Sequence, residues 1–266
     1  MTMVRQDIKR AFISWGFLIS VTVYTAILFY EVWFDYAHAV YGHMETITLF
    51  MYANSVSYMV LVLPILAALP YATSFVQDHN SRYIQAIWFR VRPVRYCLSK
   101  AVACFLSGGA CLGVSALIFF LFFGLSPSTT MIHADTALRY AADGGLDALI
   151  VIPHVGPYLY CLGRIVALTL YGGTCALMAM AASTYIVNAY ISLCLPFVAI
   201  RMWIYFIGRL KLPSYVNFAY MASGAIDGHM WETGRVIATV IVTFTGLSIA
   251  FATIFLAGVK RRYAHA

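Results

Sequence analysis

Six long runs of apolar residues dominate this sequence. They cover residues 11–30, 47–72, 101–123, 158–182, 186–208 and 236–259. Each run reaches the length of about 20 residues that an α-helix needs to cross the hydrocarbon core of a bilayer. The composition agrees, because 62% of the residues are hydrophobic and 10% are charged, whereas roughly 25% are charged in soluble domains. The sequence therefore predicts an all-α integral membrane protein, with a single membrane domain spanning residues 1–266.

The distribution of charge predicts the orientation of the six helices. An even number of spans puts both termini on one side of the membrane. If that side is the cytoplasm, the inner segments hold eleven Lys and Arg residues, and the outer segments with the outer helix ends hold six. Because Lys and Arg collect in short cytoplasmic loops, both termini are predicted to be cytoplasmic. The net charge of +7 thus indicates topology, not nucleic-acid binding, and the expected location is a plasma membrane, such as the bacterial inner membrane.

The loop between the second and third spans carries the clearest local pattern. Its apolar residues recur at the spacing of one helix face: Ile84, Ile87, Trp88 and Val91. Asp78 or Ser81 can cap the first turn. Arg90 and Arg92 favour the last turn, and Pro93 ends the helix. A short amphipathic helix is predicted along the inner surface, either as an interfacial anchor or as a docking site for another protein.

The residues around this helix resemble a known family. The resemblance is carried by Pro70-Tyr71-Ala-Thr-Ser74-Phe75-Val-Gln-Asp78, by Ser81-Arg-Tyr83-Ile84, by Arg92-Pro93-Val94-Arg95-Tyr96 and by Ser99-Lys100. In order and spacing these residues are similar to the loop between the second and third helices in permease subunits of type-2 ATP-binding-cassette exporters. In that family a small amphipathic coupling helix follows an acidic residue. Many relatives have a glycine where this sequence has Arg82.

The resemblance implies a six-helix half-transporter whose coupling helix binds a separate cytoplasmic ATPase subunit. The residues that it places at this contact are Asp78, Ile84, Ile87, Trp88, Arg90 and Arg92. The chain has no G-x-x-x-x-G-K-[ST] phosphate-binding loop, so ATP and Mg²⁺ are expected in the partner, with no cofactor or metal in this chain. A second copy or a sister permease would complete the transporter. The exported substrate would be amphiphilic: a drug, a peptide or a lipid-like molecule.

A stand-alone membrane protein is the alternative interpretation. It would be a lipid-modifying enzyme or a channel whose basic inner loop rests on anionic headgroups. The sequence has no H-E-x-x-H, G-x-S-x-G or C-x-x-C motif, and we expect a non-catalytic transport subunit. None of the seven histidines lies within the six spans. Five are expected on the outer side, either scattered or gathered into a zinc or pH-sensing site: His38, His43, His133, His154 and His229.

Two arginines lie inside predicted spans. An isolated charge costs about 2.5–3.5 kcal/mol at a helix centre, so Arg164 and Arg201 are candidate contacts for an acidic substrate or a lipid phosphate. Both lie toward the outer ends of their helices, where snorkelling to the headgroups explains them as well. The apolar stretch that follows Arg201 predicts interfacial or re-entrant helices before the sixth span.

Small residues predict where helices approach closely. Gly109 and Gly113 form a small-xxx-small pattern in the third span. Gly172 and Gly173 reduce the side-chain bulk of the helix in the fourth span. Such pairs let two helix backbones come together. The contact can lie within one chain or between two copies of it.

Overall fold

The computed structural model describes residues 2–38, 44–46, 49–50, 53, 59–81, 83, 93–125, 129–130, 157–211 and 233–264. Eight α-helices lie within these residues: α1 (Thr2–Phe12), α2 (Trp15–His38), α3 (Met59–Ala68), α4 (Ser74–Asn80), α5 (Pro93–Gly124), α6 (Pro157–Ser183), α7 (Ala189–Leu210) and α8 (Thr233–Ala264). Two short strands, β1 (Met44–Glu45) and β2 (Thr129–Thr130), pair in parallel over two residues. The predicted helical fold is confirmed for the described part of the chain.

Four of the described helices are long and apolar enough to cross a membrane. Their spanning portions are Pro93–Gly124, Cys161–Ser183, Ala189–Leu210 and Ala238–Arg262, and they correspond to the third to sixth predicted spans. A bent pair, Met3–Phe12 with Trp15–Tyr30, raises the number to as many as five. Only parts of the second predicted span are among the described residues. The helices are those of a membrane protein, and the count of six spans stays a prediction.

The N-terminal apolar run is divided into two helices. α1 ends at Phe12 and α2 begins at Trp15, with a bend of 45° between them. Ser14 occupies the break, and its hydroxyl accepts a hydrogen bond from the N–H of Phe17 at 3.1 Å. The sequence predicts one span from residue 11. The structure differs because α1 has a buried face of its own, including Asp7 and Ala11, and packs against α5.

Helix α6 lies at the centre of the bundle. It contacts α3, α5, α7 and α8, and 78% of its most apolar stretch is buried. The corresponding share is 22% for α7 and 17% for α8. Because the outward faces of α7 and α8 are apolar and uncovered in the monomer, they suit contact with lipid or with another membrane chain.

The interface between α5 and α6 is built on glycine. A Cβ atom added at Gly109 would lie 2.6 Å from the carbonyl oxygen of Thr169. A Cβ atom added at Gly172 would lie 2.5 Å from the carbonyl oxygen of Gly108. Real Cβ atoms do not approach backbone oxygens so closely. Gly113 and Gly173 face the same interface, against Thr169 and Phe105 respectively. The four glycines singled out in the sequence thus lie at a close contact within the chain.

Helix α7 has a defined start and end. The side chain of Asn188 accepts hydrogen bonds from the N–H groups of Tyr190 at 3.0 Å and Ile191 at 3.4 Å. This is an N-cap, which satisfies backbone donors that have no partner in the first turn. At the other end Lys211 has the left-handed conformation, with φ 52°, and its N–H donates to the carbonyl of Ile207. Pro196 lies inside this helix, as Pro64 does in α3.

Candidate functional site

Asp78 joins the two ends of the predicted coupling loop. It belongs to α4, and its Oδ2 atom lies 2.9 Å from the Nζ atom of Lys100 in α5. The hydroxyl of Tyr96 donates to the same oxygen at 2.9 Å. Asp78 is 8% exposed and Lys100 is 1% exposed, so the ion pair is buried. The chain between residues 79 and 95 is therefore held at its base as a closed loop.

A second carboxylate, that of Asp7, ties α1 to the same place. The hydroxyl of Tyr71 donates to its Oδ1 atom at 2.7 Å, and the hydroxyl of Ser99 donates to its Oδ2 atom. All three side chains are buried. These bonds connect residues that are 64 and 92 positions apart in the chain. The N-terminal helix is thereby fastened to both flanks of the loop.

Lys100 connects the two carboxylate groups. Its Nζ atom lies 3.4 Å from the hydroxyl oxygen of Tyr71, and 5.1 and 5.4 Å from the ring centroids of Tyr71 and Tyr96. An ammonium group at this distance from two aromatic faces is attracted by both rings. We refer to the whole set as the polar cluster: Asp7, Tyr71, Asp78, Tyr96, Ser99 and Lys100.

Local helix geometry explains how α5 supplies half of the cluster. Tyr96, Ser99 and Lys100 follow the spacing i, i+3 and i+4, which places them on one face of an α-helix. The helix begins at Pro93, eight residues before the predicted span. Proline is favoured in the first turn, because its missing N–H would have no helical partner there. The sequence predicts that Pro93 ends the coupling helix, and in the structure Pro93 is the first residue of α5.

A proline also determines where the segment that carries Tyr71 and Asp78 begins. α3 ends at Ala68, and Pro70 lies in the turn after it, where its ring cannot continue a helix. α4 then begins at Ser74 and buries Phe75 and Asp78. Of the two residues predicted to cap the coupling helix, Asp78 lies inside α4 with its carboxylate directed to Tyr96 and Lys100, and Ser81 is the candidate that stays open.

Separating the members of the polar cluster would cost much free energy. Burying two carboxylates and an ammonium group is costly, and it is offset only when their hydrogen bonds and charges are matched. Removing one partner of a buried ion pair costs about 3–5 kcal/mol, because the other charge stays behind uncompensated. The cluster therefore resists separation of α1, α4 and α5.

Arg262 makes a second link at the same end of the bundle. Its Nε and Nη2 atoms donate to the carbonyls of Thr184 and Tyr185, the latter at 3.2 Å. Its Nη1 atom lies 3.4 Å from Nε2 of His79 at the end of α4. The rings of Phe75 and Phe255 pack nearby at a centroid distance of 5.7 Å. We call this part of the bundle the basic end: it comprises α1, residues 69–81, the start of α5, the turn at residues 184–188 and the end of α8.

Of the residues implied as ATPase contacts, Asp78 is the one whose structure is described. Ile84, Ile87, Trp88, Arg90 and Arg92 lie outside the described residues, as does Arg82. Tyr83 is described, and its side chain is exposed. Since the Asp78 carboxylate is taken up by the polar cluster, its part at such a contact would be to position the loop.

The remaining candidate residues lie apart from the polar cluster. Arg164 is 7% exposed in α6, and Arg201 is exposed in α7. Five of the six cysteines are buried, Cys194 is exposed, and all six are free thiols. Among the described residues there is no group of His, Cys, Asp and Glu that could hold a metal ion. Four of the five outer histidines lie outside these residues, and His38 ends α2.

Sequence reasoning did not predict the polar cluster as a contact. Five of its members appear among the residues that carry the family resemblance, but nothing in the sequence shows that they meet. Asp7 is absent from the residues that carry this resemblance. A signal was nonetheless present, because Asp7 and Lys100 both lie within a few residues of a predicted span, where an ionised side chain needs a partner.

Comparison with known proteins gives no assignment. No protein-family model, no curated protein and no solved structure matches the chain.

Proposed function

We propose that the chain is the transmembrane permease subunit of an ATP-binding-cassette exporter. It would work as a pair of permeases, identical or sister chains, with two cytoplasmic ATPase subunits that hold ATP and Mg²⁺. The complex would move an amphiphilic substrate outward across a plasma membrane, of the bacterial inner-membrane type. Within it this chain has no catalytic role.

The observation that carries the proposal is the anchoring of the loop between the second and third spans. Asp78 and Lys100 join its two ends through a buried ion pair of 2.9 Å, and Asp7 brings in the N-terminal helix. A loop that only rested on the membrane surface would not need so rigid a base. A loop that receives force from an ATPase does need one, since a flexible base would absorb the movement.

The contacts suggest how the movement would travel. Closure of the ATPases on ATP would displace the coupling helix at residues 84–92. The polar cluster would pass this displacement to α1 and α5, and the glycine-lined contact of α5 with α6 would carry it to the centre of the bundle. Packed helices respond to such a load by discrete rearrangement, which is how alternating access is achieved in transporters.

The proposed orientation follows from charge. Eight of the described Lys and Arg residues belong to the basic end: Arg5, Lys9, Arg10, Arg95, Lys100, Lys260, Arg261 and Arg262. An excess of bases is typical of the cytoplasmic side. With the basic end inside, the coupling loop would face the compartment that contains the ATPase.

Co-purification tests the proposal. The chain is isolated from its host in mild detergent and the proteins that accompany it are identified by mass spectrometry. The variants are Trp88→Glu and Ile84→Glu, which put a charge on the apolar face of the predicted coupling helix. Tyr185→Glu is the matched control, because it adds the same charge at an exposed tyrosine of the same end of the bundle, outside the loop.

We expect a protein with an ATP-binding P-loop to accompany the wild type and the control and to be lost from both coupling-helix variants. Absence of any ATPase from all four samples, with the chain folded, would refute the proposal. The interpretation as a stand-alone lipid-modifying enzyme or channel would then take its place.

A further inference from the structure

A groove opens at the basic end next to the polar cluster. Its volume is about 980 Å³, and it is lined by residues of α1, of the end of α4 and of α5. α1 contributes Lys9 and Arg10, Ile13 follows directly after that helix, and Ser81 and Tyr83 line the groove from the loop. Met3 and Gln6 of α1 and four members of the polar cluster complete the lining. The groove thus combines cations, hydroxyl groups and apolar carbon.

The groove has an excess of positive charge. Among the described residues one ion pair is present, between Lys100 and Asp78. Asp7 accepts from Tyr71 and Ser99. The exposed Lys9 and Arg10 therefore have no carboxylate partner in the described part of the chain. A guanidinium and an ammonium group that line the same groove, together with hydroxyl groups, are suited to the oxygens of a phosphate.

Exposed apolar side chains lie at one end of the groove and just beyond it. Ile13 is 69% exposed, although it follows directly on α1, and Trp15 at the start of α2 is 80% exposed. An exposed tryptophan at the start of a spanning helix is typical of the boundary between headgroups and hydrocarbon. A molecule in the groove would therefore meet cations at one end and the edge of the acyl chains at the other.

We propose that this groove binds an anionic phospholipid. Its phosphate lies between Lys9 and Arg10, and an acyl chain passes over Ile13 toward α2. The charge and the adjoining apolar side chain favour a lipid over a free phosphate, which would leave Ile13 without a contact. The site does not depend on the proposed transport function and would exist in a stand-alone membrane protein as well.

Native mass spectrometry of the purified chain tests the site. The protein is released from bilayers that contain phosphatidylglycerol and phosphatidylcholine, and the lipid that it retains is counted. The test variant is Lys9→Gln with Arg10→Gln. The matched control is Lys260→Gln with Arg261→Gln, which removes two exposed bases from the same end without touching the groove. Inorganic phosphate is added in a parallel sample as a competitor.

We expect the wild type and the control to retain one phosphatidylglycerol in preference to phosphatidylcholine. The groove variant should retain roughly tenfold less, and inorganic phosphate should not displace the lipid. Equal losses in both double variants, or no preference between the two lipids, would overturn the proposal. Displacement by inorganic phosphate alone would overturn the assignment to a lipid. Because all four altered residues are exposed, both variants should fold, and Ile13→Gln offers a second variant that weakens retention without changing the charge.

Discussion

Lys100 is the residue on which the polar cluster depends. It neutralises Asp78, and its ammonium group lies against the rings of Tyr71 and Tyr96. The other polar residues of the cluster are themselves satisfied by one another. Loss of this one cation leaves two buried carboxylates with no basic partner in the cluster. The residue therefore governs both the stability of the basic end and the fixed base of the loop.

Lys100→Met should destabilise the protein by about 3–5 kcal/mol, because it leaves Asp78 buried and unpaired. The loss is measured by thermal unfolding in detergent with a thiol-reactive dye, for which five buried free cysteines are suitable probes. Lys260→Met removes an exposed base and should change the stability by about 0.5 kcal/mol or less. Adding Asp78→Asn to Lys100→Met should restore part of the stability. Equal stability of the two single Lys variants would contradict the cluster as described.

Asn188 is a second residue with a defined local task. Asn188→Ala should destabilise the start of α7 by about 1 kcal/mol, because two backbone N–H groups lose their acceptor. Asn188→Asp keeps a side-chain acceptor and should retain most of the stability. The same thermal assay compares the two variants. If the alanine and aspartate variants have the same stability, the side-chain cap does not stabilise the start of α7.

At the scale of elements, α5 packs closely against α6 through glycine. Gly172→Ala puts a Cβ within 2.5 Å of the carbonyl oxygen of Gly108 and 2.9 Å of Leu112. The backbones have to separate, and we expect a loss of about 1–3 kcal/mol.

Gly163→Ala is the matched control in the same helix. A Cβ there meets no atom of the described residues within 4 Å, and alanine is favoured over glycine in a helix by roughly 0.5–1 kcal/mol. This variant should be as stable as the wild type or more stable. If neither alanine variant changes the stability, the close contact between α5 and α6 at Gly172 is contradicted.

Hydropathy predicts the elements better than it predicts their ends. The third to sixth runs coincide with α5, α6, α7 and α8, because burial in lipid demands uninterrupted apolar helix. The ends depend on local chemistry that hydropathy does not register. Pro93 begins α5 well before the apolar run, and Ser14 divides the first run at a bend. α2 likewise continues to His38, eight residues beyond the predicted span.

At the scale of the whole molecule, the sequence predicts the class of fold but not the polar cluster. Its hydrogen bonds join Asp7 to residues in two other parts of the chain, and no periodic pattern connects such positions. The family resemblance places Asp78 at an external contact, whereas the structure buries its carboxylate. Pairing of this kind depends on how the helices pack, which a single sequence does not contain.

Both termini are predicted to lie on the cytoplasmic side, together with the basic end. Ser81→Cys, exposed at that end, should react with a membrane-impermeant thiol reagent only in inside-out vesicles. Leu125→Cys, at the far end of α5, should react only in right-side-out vesicles. The wild type is the background control, since its exposed Cys194 lies on the apolar α7. The opposite pattern of labelling would reverse the topology.

The central claim is that the loop at the basic end contacts an ATPase, and photo-crosslinking in native membranes tests it most directly. A photoreactive amino acid is placed at position 88, and a second at position 125 as the control at the opposite end of α5. We expect an adduct between position 88 and a cytoplasmic protein that carries an ATP-binding P-loop, with no such adduct from position 125. Crosslinks from position 88 to lipid alone would contradict it.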